Sequence, residues 1–164
     1  MYTRIVVPLD GSDIAEQALE SATEMARLTG APMHLVRILD LHASDYTYAY
    51  GYMVEAPDAG YFQAEQEVAT QYLAETARLL ENQGLTVTHE LRHGSAATGI
   101  VEALEAGDLL VMASHGRSGM SRWFLGSVAE SVIRNATVPV LLVRAAPAKA
   151  SRNGANVKAV AHAS

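Results

Sequence analysis

The segment that most constrains the fold is residues 109–130, which read LLVMASHGRSGMSRWFLGSVAE. Four apolar residues at its start are typical of a short buried strand, and a loop rich in glycine, serine and arginine follows them. At its end, residues 127–130 match the S-x-x-E capping box, which predicts a helix with Ser127 as its N-cap and Glu130 reaching back. Because the first N–H groups of a helix have no partner within it, this succession of strand, loop and helix start favours a bound phosphate.

The remaining chain alternates between apolar runs and segments of helical periodicity. The runs that favour strands are residues 4–9, 32–39, 85–91, 109–112 and 138–143. Helices are predicted between them, and Ser12 is expected to cap the first. The first helix is predicted to end at Gly30, the second at Gly84, the third at Gly107 and the fourth near Asn135. Strands this apolar, in the order β-α-β-α-β-α-β-α-β, predict one α/β domain with a five-stranded parallel sheet covered by helices on both faces. Ligands of such sheets bind beyond the carboxyl ends of the strands, where the strand order reverses.

Three features depart from this regular alternation. Residues 41–60 hold four tyrosines among glycine, alanine, serine and aspartate, and a long loop over the core edge or a neighbouring subunit is predicted there. Residues 146–164 have no core to join, so a disordered tail is predicted after a domain that ends at residue 145. Pro8 lacks an N–H for a ladder bond, so the first strand is expected to fray where its loop begins.

Charge, hydropathy and cysteine content argue against several functional classes of protein. The net charge of −6 argues against broad contact with nucleic acid, so an anionic ligand needs a local site. No apolar stretch reaches the roughly 18 residues that span a membrane, and the N-terminus lacks the apolar region of a signal peptide. The absence of cysteine excludes disulfides and thiolate metal sites, and a cytoplasmic location is the default expectation.

A short motif near the middle of the chain matches the H-E-x-x-H signature of zinc metalloproteases, at His89, Glu90 and His93. That chemistry requires both histidines on one face of a helix, one turn apart, with the glutamate as general base. The residues before the motif alternate as a strand does, and four residues of a strand span about 13 Å. Because two imidazoles that far apart cannot share a metal ion, the preferred interpretation is a pair of exposed strand histidines.

The loop that begins at Ala113 and ends at Ser127 is the strongest candidate site. It is about 12 residues long, whereas connections in α/β units usually have about 2–6 residues, and long loops in compact domains tend to be functional. Arg117 and Arg122 give the loop a local positive charge, since no acidic residue lies between Ala113 and Glu130. The P-loop and G-x-S-x-G motifs are absent, and no G-x-G-x-x-G follows the first strand. Phosphate binding is therefore preferred over an ordinary strand-to-helix connection.

Several segments of the chain resemble the universal stress protein family. They are Asp10 after the first strand, DLLVMASHG at residues 108–116, and the apolar run that begins at Val138 and ends at Val143. The resemblance covers about residues 2–144, apart from the tyrosine-rich segment. It implies a flavodoxin-like or Rossmann-like fold of the adenine nucleotide alpha hydrolase type. It also implies a homodimer that pairs antiparallel through the last strand.

The pattern G-x2-G-x9-G-[ST] marks the ATP-binding branch of that family. Gly116, Gly126 and Ser127 match it, whereas Ala113 stands in place of the first glycine. If this position requires a positive φ, a Cβ there costs about 1 kcal/mol. If it requires only a small residue close to the ligand, alanine serves, and this second interpretation is preferred.

The resemblance implies a set of residues that bind ATP. In chain order they are Pro8, Leu9, Asp10, Ile38, Met112, Ala113, His115, Gly116, Arg117, Gly126, Ser127, Val128 and Ala129. Those up to Ala113 would surround the adenine and ribose, His115 and Gly116 would approach the phosphates, and the last four would offer backbone N–H groups to the β- and γ-phosphates. A divalent ion such as Mg²⁺ or Mn²⁺ is expected on the triphosphate, because two arginines neutralise it incompletely.

The resulting prediction is a cytoplasmic, homodimeric, ATP-binding stress-response or signalling module, without a membrane or nucleic-acid partner. At most slow ATP hydrolysis is expected, because no general base is placed on a nucleophile, and no catalytic residue or protein-held metal is assigned. One alternative is a dimeric stress protein that binds no nucleotide because Ala113 disturbs the loop. Another is a slow ATPase in which Asp10 holds the metal. The apolar triple that starts at Trp123 is interpreted as a lid or an interface.

Overall fold

A computed structural model describes residues 1–40, 59–114 and 126–145 of the chain. Its strands are β1 (Ile5–Pro8), β2 (Met33–Leu39), β3 (Val87–His93), β4 (Leu109–Ser114) and β5 (Val140–Arg144). They form one parallel sheet in the order β3-β2-β1-β4-β5. The predicted five-stranded parallel sheet is confirmed, and its strand order reverses between β1 and β4.

Helices cover both faces of this sheet, as the alternation predicts. In the described ranges they are α1 (Asp13–Glu16), α2 (Ala18–Thr29), α3 (Ala59–Glu81), α4 (Ala96–Glu102) and α5 (Ser127–Asn135). Ile5 and Val7 of β1 face the core under α2 and α3, whereas Val6 between them faces the core under α4 and α5. This alternation follows from the two-residue period of a strand. None of the helices in these ranges has the length and apolarity to cross a bilayer.

Several element boundaries differ from the predicted ones. The first helix is interrupted at Gln17, so α1 is a single turn and α2 begins at Ala18. The helix α4 ends at Glu102 instead of Gly107, because its last N–H groups bond three residues back and tighten the turn, as Leu104 does to the carbonyl of Val101. The helix α3 begins at Ala59, so the last two residues of the predicted loop 41–60 are helical, and residues 41–58 lie outside the described residues.

The two predicted helix caps have different outcomes. Ser12 caps α1 as predicted, since its Oγ accepts a hydrogen bond from the N–H of Ala15 at 3.2 Å. The predicted capping box at the start of α5 is wrong, because Gly126 is the N-cap and its carbonyl accepts the N–H of Glu130 at 2.9 Å. Ser127 is thus already inside the helix, where its hydroxyl is misplaced to cap it. The carboxylate of Glu130 instead accepts a hydrogen bond from Arg134 at 2.6 Å.

A buried ion pair joins the amino ends of β1 and β4. The Asp108 carboxylate is fully enclosed, and it accepts hydrogen bonds from Nε of Arg4 at 3.0 Å and from Nη2 at 2.7 Å. The N–H of Glu105 donates to Asp108 as well, at 2.8 Å, and Nη2 of Arg4 also reaches the carbonyl of Ala103. This two-point contact fixes the start of β1 against the turn that precedes β4.

The surroundings of Asp108 favour its charged form. Burial alone would raise the pKa of this carboxyl group, but the hydrogen bonds from Arg4, from the N–H of Glu105 and from Thr3 outweigh burial. The pKa of Asp108 therefore lies below its usual value. The same bond raises the pKa of the Arg4 guanidinium.

We expect Arg4→Ala to destabilise the fold by about 3 kcal/mol or more, because the variant leaves a buried carboxylate without its counter-ion. Chemical denaturation of both proteins measures this loss. Arg134→Ala is the matched control, since it removes an exposed pair on α5 and is expected to cost about 0.5 kcal/mol or less. Equal losses in the two variants would contradict a central role for the buried pair.

The lowered pKa of Asp108 also predicts how stability changes in acid. The unfolded chain takes up a proton near the ordinary aspartate pKa of about 3.9, whereas the folded chain does so only at lower pH. The stability that Asp108 contributes is therefore present above that value and is lost as the pH falls through its folded pKa. Urea unfolding from about pH 5 to about pH 3 should show a weaker pH dependence in Asp108→Asn than in the parent protein. An identical pH dependence would refute this assignment.

Candidate functional site

The central strands β1 and β4 are paired only near their amino ends. Their ladder has two register pairs, and the second joins Val6 to Leu110. The N–H groups of Ile5 and Leu9 point to the β2 side, where they meet the carbonyls of residues 32 and 36 at 2.9 and 2.8 Å. Because successive N–H groups of a strand point to opposite sides, the nitrogen of Pro8 faces β4. Proline has no N–H, so no ladder bond forms there and the two strands part.

A cavity of about 210 Å³ opens where β1 and β4 part. Every predicted site residue that the structure describes lines it, namely Pro8, Leu9, Asp10, Ile38, Met112, Ala113, Gly126, Ser127, Val128 and Ala129. The remaining predicted residues, His115, Gly116 and Arg117, lie outside the described residues. The fold thus gathers candidate residues from three distant parts of the sequence at the switch in strand order.

The interior of the cavity is apolar on the side of β2 and α4. Val36 and Ile38 of β2, Ile100 of α4 and Met112 of β4 line it, and all four belong to the core under α4 and α5. An apolar wall with few polar groups suits a flat or apolar part of a ligand.

Some lining residues were missed by the sequence analysis. They are Ser12, Ile14, Ala15, Val36, Ala96, Ile100 and Ser114. Those in helices follow the end of a strand by three to seven residues, so their closeness to a strand end is a usable signal. Val36 carries no such signal, because its apolar side chain in a buried run is what any core strand presents.

The turn after β1 brings a carboxylate to the cavity. Asp10 is exposed, and its Oδ1 accepts a hydrogen bond from the N–H of Ser12 at 2.9 Å. Gly11 between them has a φ of +84°, which favours glycine, and a Cβ there would lie 3.2 Å from Nη1 of Arg37. Asp10 therefore shapes the turn with one of its oxygens.

The first turn of α5 forms the opposite wall of the cavity. Gly126, Ser127, Val128 and Ala129 line it, and within the described ranges no side-chain cap is found on the N–H groups of this turn. The N-cap Gly126 has a φ of −58°, an angle that other residues also adopt. Unbonded N–H groups at a helix N-terminus attract anions, because the helix dipole adds to their partial charge.

The backbone at Ala113 shows whether alanine can replace the first glycine of the G-x2-G-x9-G-[ST] pattern. Ala113 lies within β4 and pairs in register with Val143 of β5. A strand residue has an extended backbone with a negative φ, so this position does not require glycine. A small, half-buried side chain at the cavity wall is therefore compatible with the strand.

The motif H-E-x-x-H lies on a strand, as the sequence predicts. His89 and His93 belong to β3, and four strand residues span about 13 Å, too far for one zinc ion. Glu90 has other partners, since its Oε1 lies 2.8 Å from Nε of Arg92 and 3.3 Å from Nε2 of His34. Burial would raise the pKa of Glu90, but these two partners lower it below its usual value. Among the described side chains, no group of three His, Asp or Glu residues is placed to hold a metal ion.

Known proteins with related sequences and folds include several universal stress proteins. Universal stress protein MJ0531 of Methanocaldococcus jannaschii is 32% identical over 150 residues, which are 88% of this chain and 83% of that protein. The solved structure of hypothetical protein MJ0577 is 26% identical, with a TM-score of 0.71 over 90% of this chain and 99% of that one. A universal stress protein of Archaeoglobus fulgidus, solved in complex with dAMP, is 23% identical with a TM-score of 0.59, covering 86% of this chain and 97% of that one.

The model of the universal stress protein family matches residues 1–144, which include all five strands and the described helices. The fold agrees with this match, since the five-stranded parallel sheet with its helices is similar to these solved structures. This chain therefore belongs to the universal stress protein family.

Proposed function

We propose that this universal stress protein binds ATP in the cavity between β1, β4 and α5, as a stress-response or signalling module of the cytoplasm. The observation that carries the proposal is that one cavity joins an apolar wall to the first turn of a helix, where N–H groups have no partner within the helix itself. An adenine base suits the first and a phosphate chain suits the second. The complex of the Archaeoglobus fulgidus relative with dAMP gives independent support for an adenine nucleotide.

The residues are proposed to divide the nucleotide between them. Ile38 and Met112 contact the base and nucleoside, Pro8, Leu9 and Asp10 line the ribose side, and Ala113 provides a small surface beneath. The N–H groups from Gly126 to Ala129 receive the phosphates, together with His115, Gly116 and Arg117 of the loop. Mg²⁺ or Mn²⁺ is proposed to arrive on the nucleotide, held by its phosphates.

The proposal favours nucleotide binding over the alternative that Ala113 prevents it. In an extended strand an alanine creates no backbone strain, which removes the physical reason for that alternative. A second alternative is slow ATP hydrolysis with Asp10 as a metal ligand. Asp10 gives it limited support, since one of its oxygens already bonds Ser12. We therefore assign binding as the function, with hydrolysis slow at most.

The proposed homodimer uses β5, because this strand forms an edge of the sheet. The N–H of Ala145 bonds the carbonyl of Ser114 on β4 at 3.2 Å. By alternation, the N–H groups of Val143 and Leu141 also face β4, and that of Leu142 faces outward. Outward N–H and carbonyl groups of an edge strand are a template for pairing with a second copy.

Gly126→Val should remove ATP binding and leave the protein folded. A valine fits the observed backbone at this position, and its branched side chain would occupy the phosphate end of the cavity. Replacing a glycine N-cap should cost only about 1 kcal/mol of stability. Calorimetric titration with ATP and Mg²⁺, on protein stripped of nucleotide by unfolding and refolding, measures the affinity.

Ala136→Val is the matched control for this test, because it places the same side chain at the other end of α5, where the backbone is also extended. This control should bind ATP as the parent protein does. If the parent protein binds no ATP, the proposed function is wrong. If Gly126→Val binds as tightly as the parent, the helix start does not hold the phosphates.

Leu142→Pro should convert the dimer to a monomer, because proline removes an N–H that faces away from β4 and leaves the bonds to β4 in place. Light scattering after size-exclusion chromatography measures the mass. Leu141→Pro is the comparison, since its N–H faces β4, and it should lower the stability of the fold instead. A dimeric Leu142→Pro variant would exclude β5 as the interface.

A further inference from the structure

The helix α4 has a glycine in its middle, at a position where alanine would favour the helix. Gly99 is buried, and glycine in a helix interior is unfavourable relative to alanine. Its φ is outside the left-handed region, so the backbone does not require glycine. The packing around position 99 must therefore be what favours glycine there.

The side chain of Ile38 accounts for the missing side chain at position 99. A Cβ on Gly99 would lie 2.8 Å from Cδ1 of Ile38, 3.0 Å from Cγ2 and 3.1 Å from Cγ1. Carbon atoms pack at about 3.5–4.0 Å, so the Ile38 side chain already fills the space of a residue 99 side chain. Gly99 and Ile38 are thus fitted to each other across the contact between α4 and β2.

Ile38 is also part of the cavity wall, whereas Gly99 is outside it. The side chain of Ile38 therefore separates Gly99 from the proposed nucleotide. We infer that Gly99 is a positioning residue, which sets how far Ile38 projects into the cavity and so how much room the base receives. This inference rests on the proposed function, because it concerns the base end of the same site.

A side chain at position 99 has two ways to fit, and both change the cavity. Ile38 can shift away from α4, which moves it toward the base. Alternatively α4 can move away from the sheet, which carries Ala96 and Ile100 along, and these two residues also line the cavity. Because packed interiors respond to an added methyl group by shifts of this kind, the change reaches the ligand by either route.

The test is the affinity for ATP with Mg²⁺, measured by calorimetry on the full chain, in a cycle of Gly99→Ala and Ile38→Ala. Gly99→Ala alone should weaken binding by about fivefold or more. Ile38→Ala removes all three atoms that would meet the new Cβ. In the Ile38→Ala background, Gly99→Ala should therefore leave the affinity unchanged. Gly60→Ala, at an exposed glycine of α3, is the control for a general effect of helix propensity and should bind as the parent does.

Each outcome of the cycle decides the inference. Equal binding by the parent and by folded Gly99→Ala overturns the positioning role, and the proposed function stands. A loss of affinity of the same size in both backgrounds also overturns it, because Gly99 then acts independently of Ile38. If Gly99→Ala does not fold, the comparison in the Ile38→Ala background still decides, since any loss of affinity there contradicts the role. A parent protein that binds no ATP overturns both the inference and the proposed function.

Discussion

The site depends on the way in which β1 and β4 are joined. They are held together at their amino ends by two register pairs and by the buried contact between Arg4 and Asp108. They part at Pro8, which has no N–H to offer β4. The two strands are thus hydrogen-bonded at their amino ends and lack a hydrogen bond at Pro8, next to the opening at the switch in strand order. The cavity lies where this ladder ends, and side chains of α1, α4 and α5 line it together with the ends of the strands.

Much of the fold was predictable because the signals are local and repeated. Apolar runs such as that of β4 are too apolar for a solvated face, and their alternation with helices indicates a parallel sheet with helices on both sides. The caps at Ser12 and Gly30 were predictable for the same reason, since each acts within one turn of its own residue. The start of α5 was predicted one residue too late, because Gly126 and Ser127 are both acceptable N-caps in sequence and Ser127 was chosen.

The candidate site was predictable only in part. The resemblance to the family motif identified Gly126 and Ala113, and the structure brings both to one cavity. Val36 could not be recognised, since an apolar side chain in a buried run is typical of any core strand. The contact of Gly99 with Ile38 was beyond the sequence as well, because 61 positions separate two residues that only the packing of α4 on β2 brings together. A long-range packing contact of this kind produces no periodic pattern in the sequence.

The two faces of the sheet differ in how much they contribute to the cavity. Beneath α2 and α3 lies a dense layer in which Ala22, Leu35 and Leu73 are completely enclosed, and no residue of α2 or α3 lines the cavity in the described part of the chain. On the other face, Val36, Ile38, Ile100 and Met112 form the apolar wall of the cavity. Substitutions under α2 and α3 can therefore raise the thermal stability of the protein. Substitutions under α4 and α5 can change ligand preference separately, whether they arise in nature or in the laboratory.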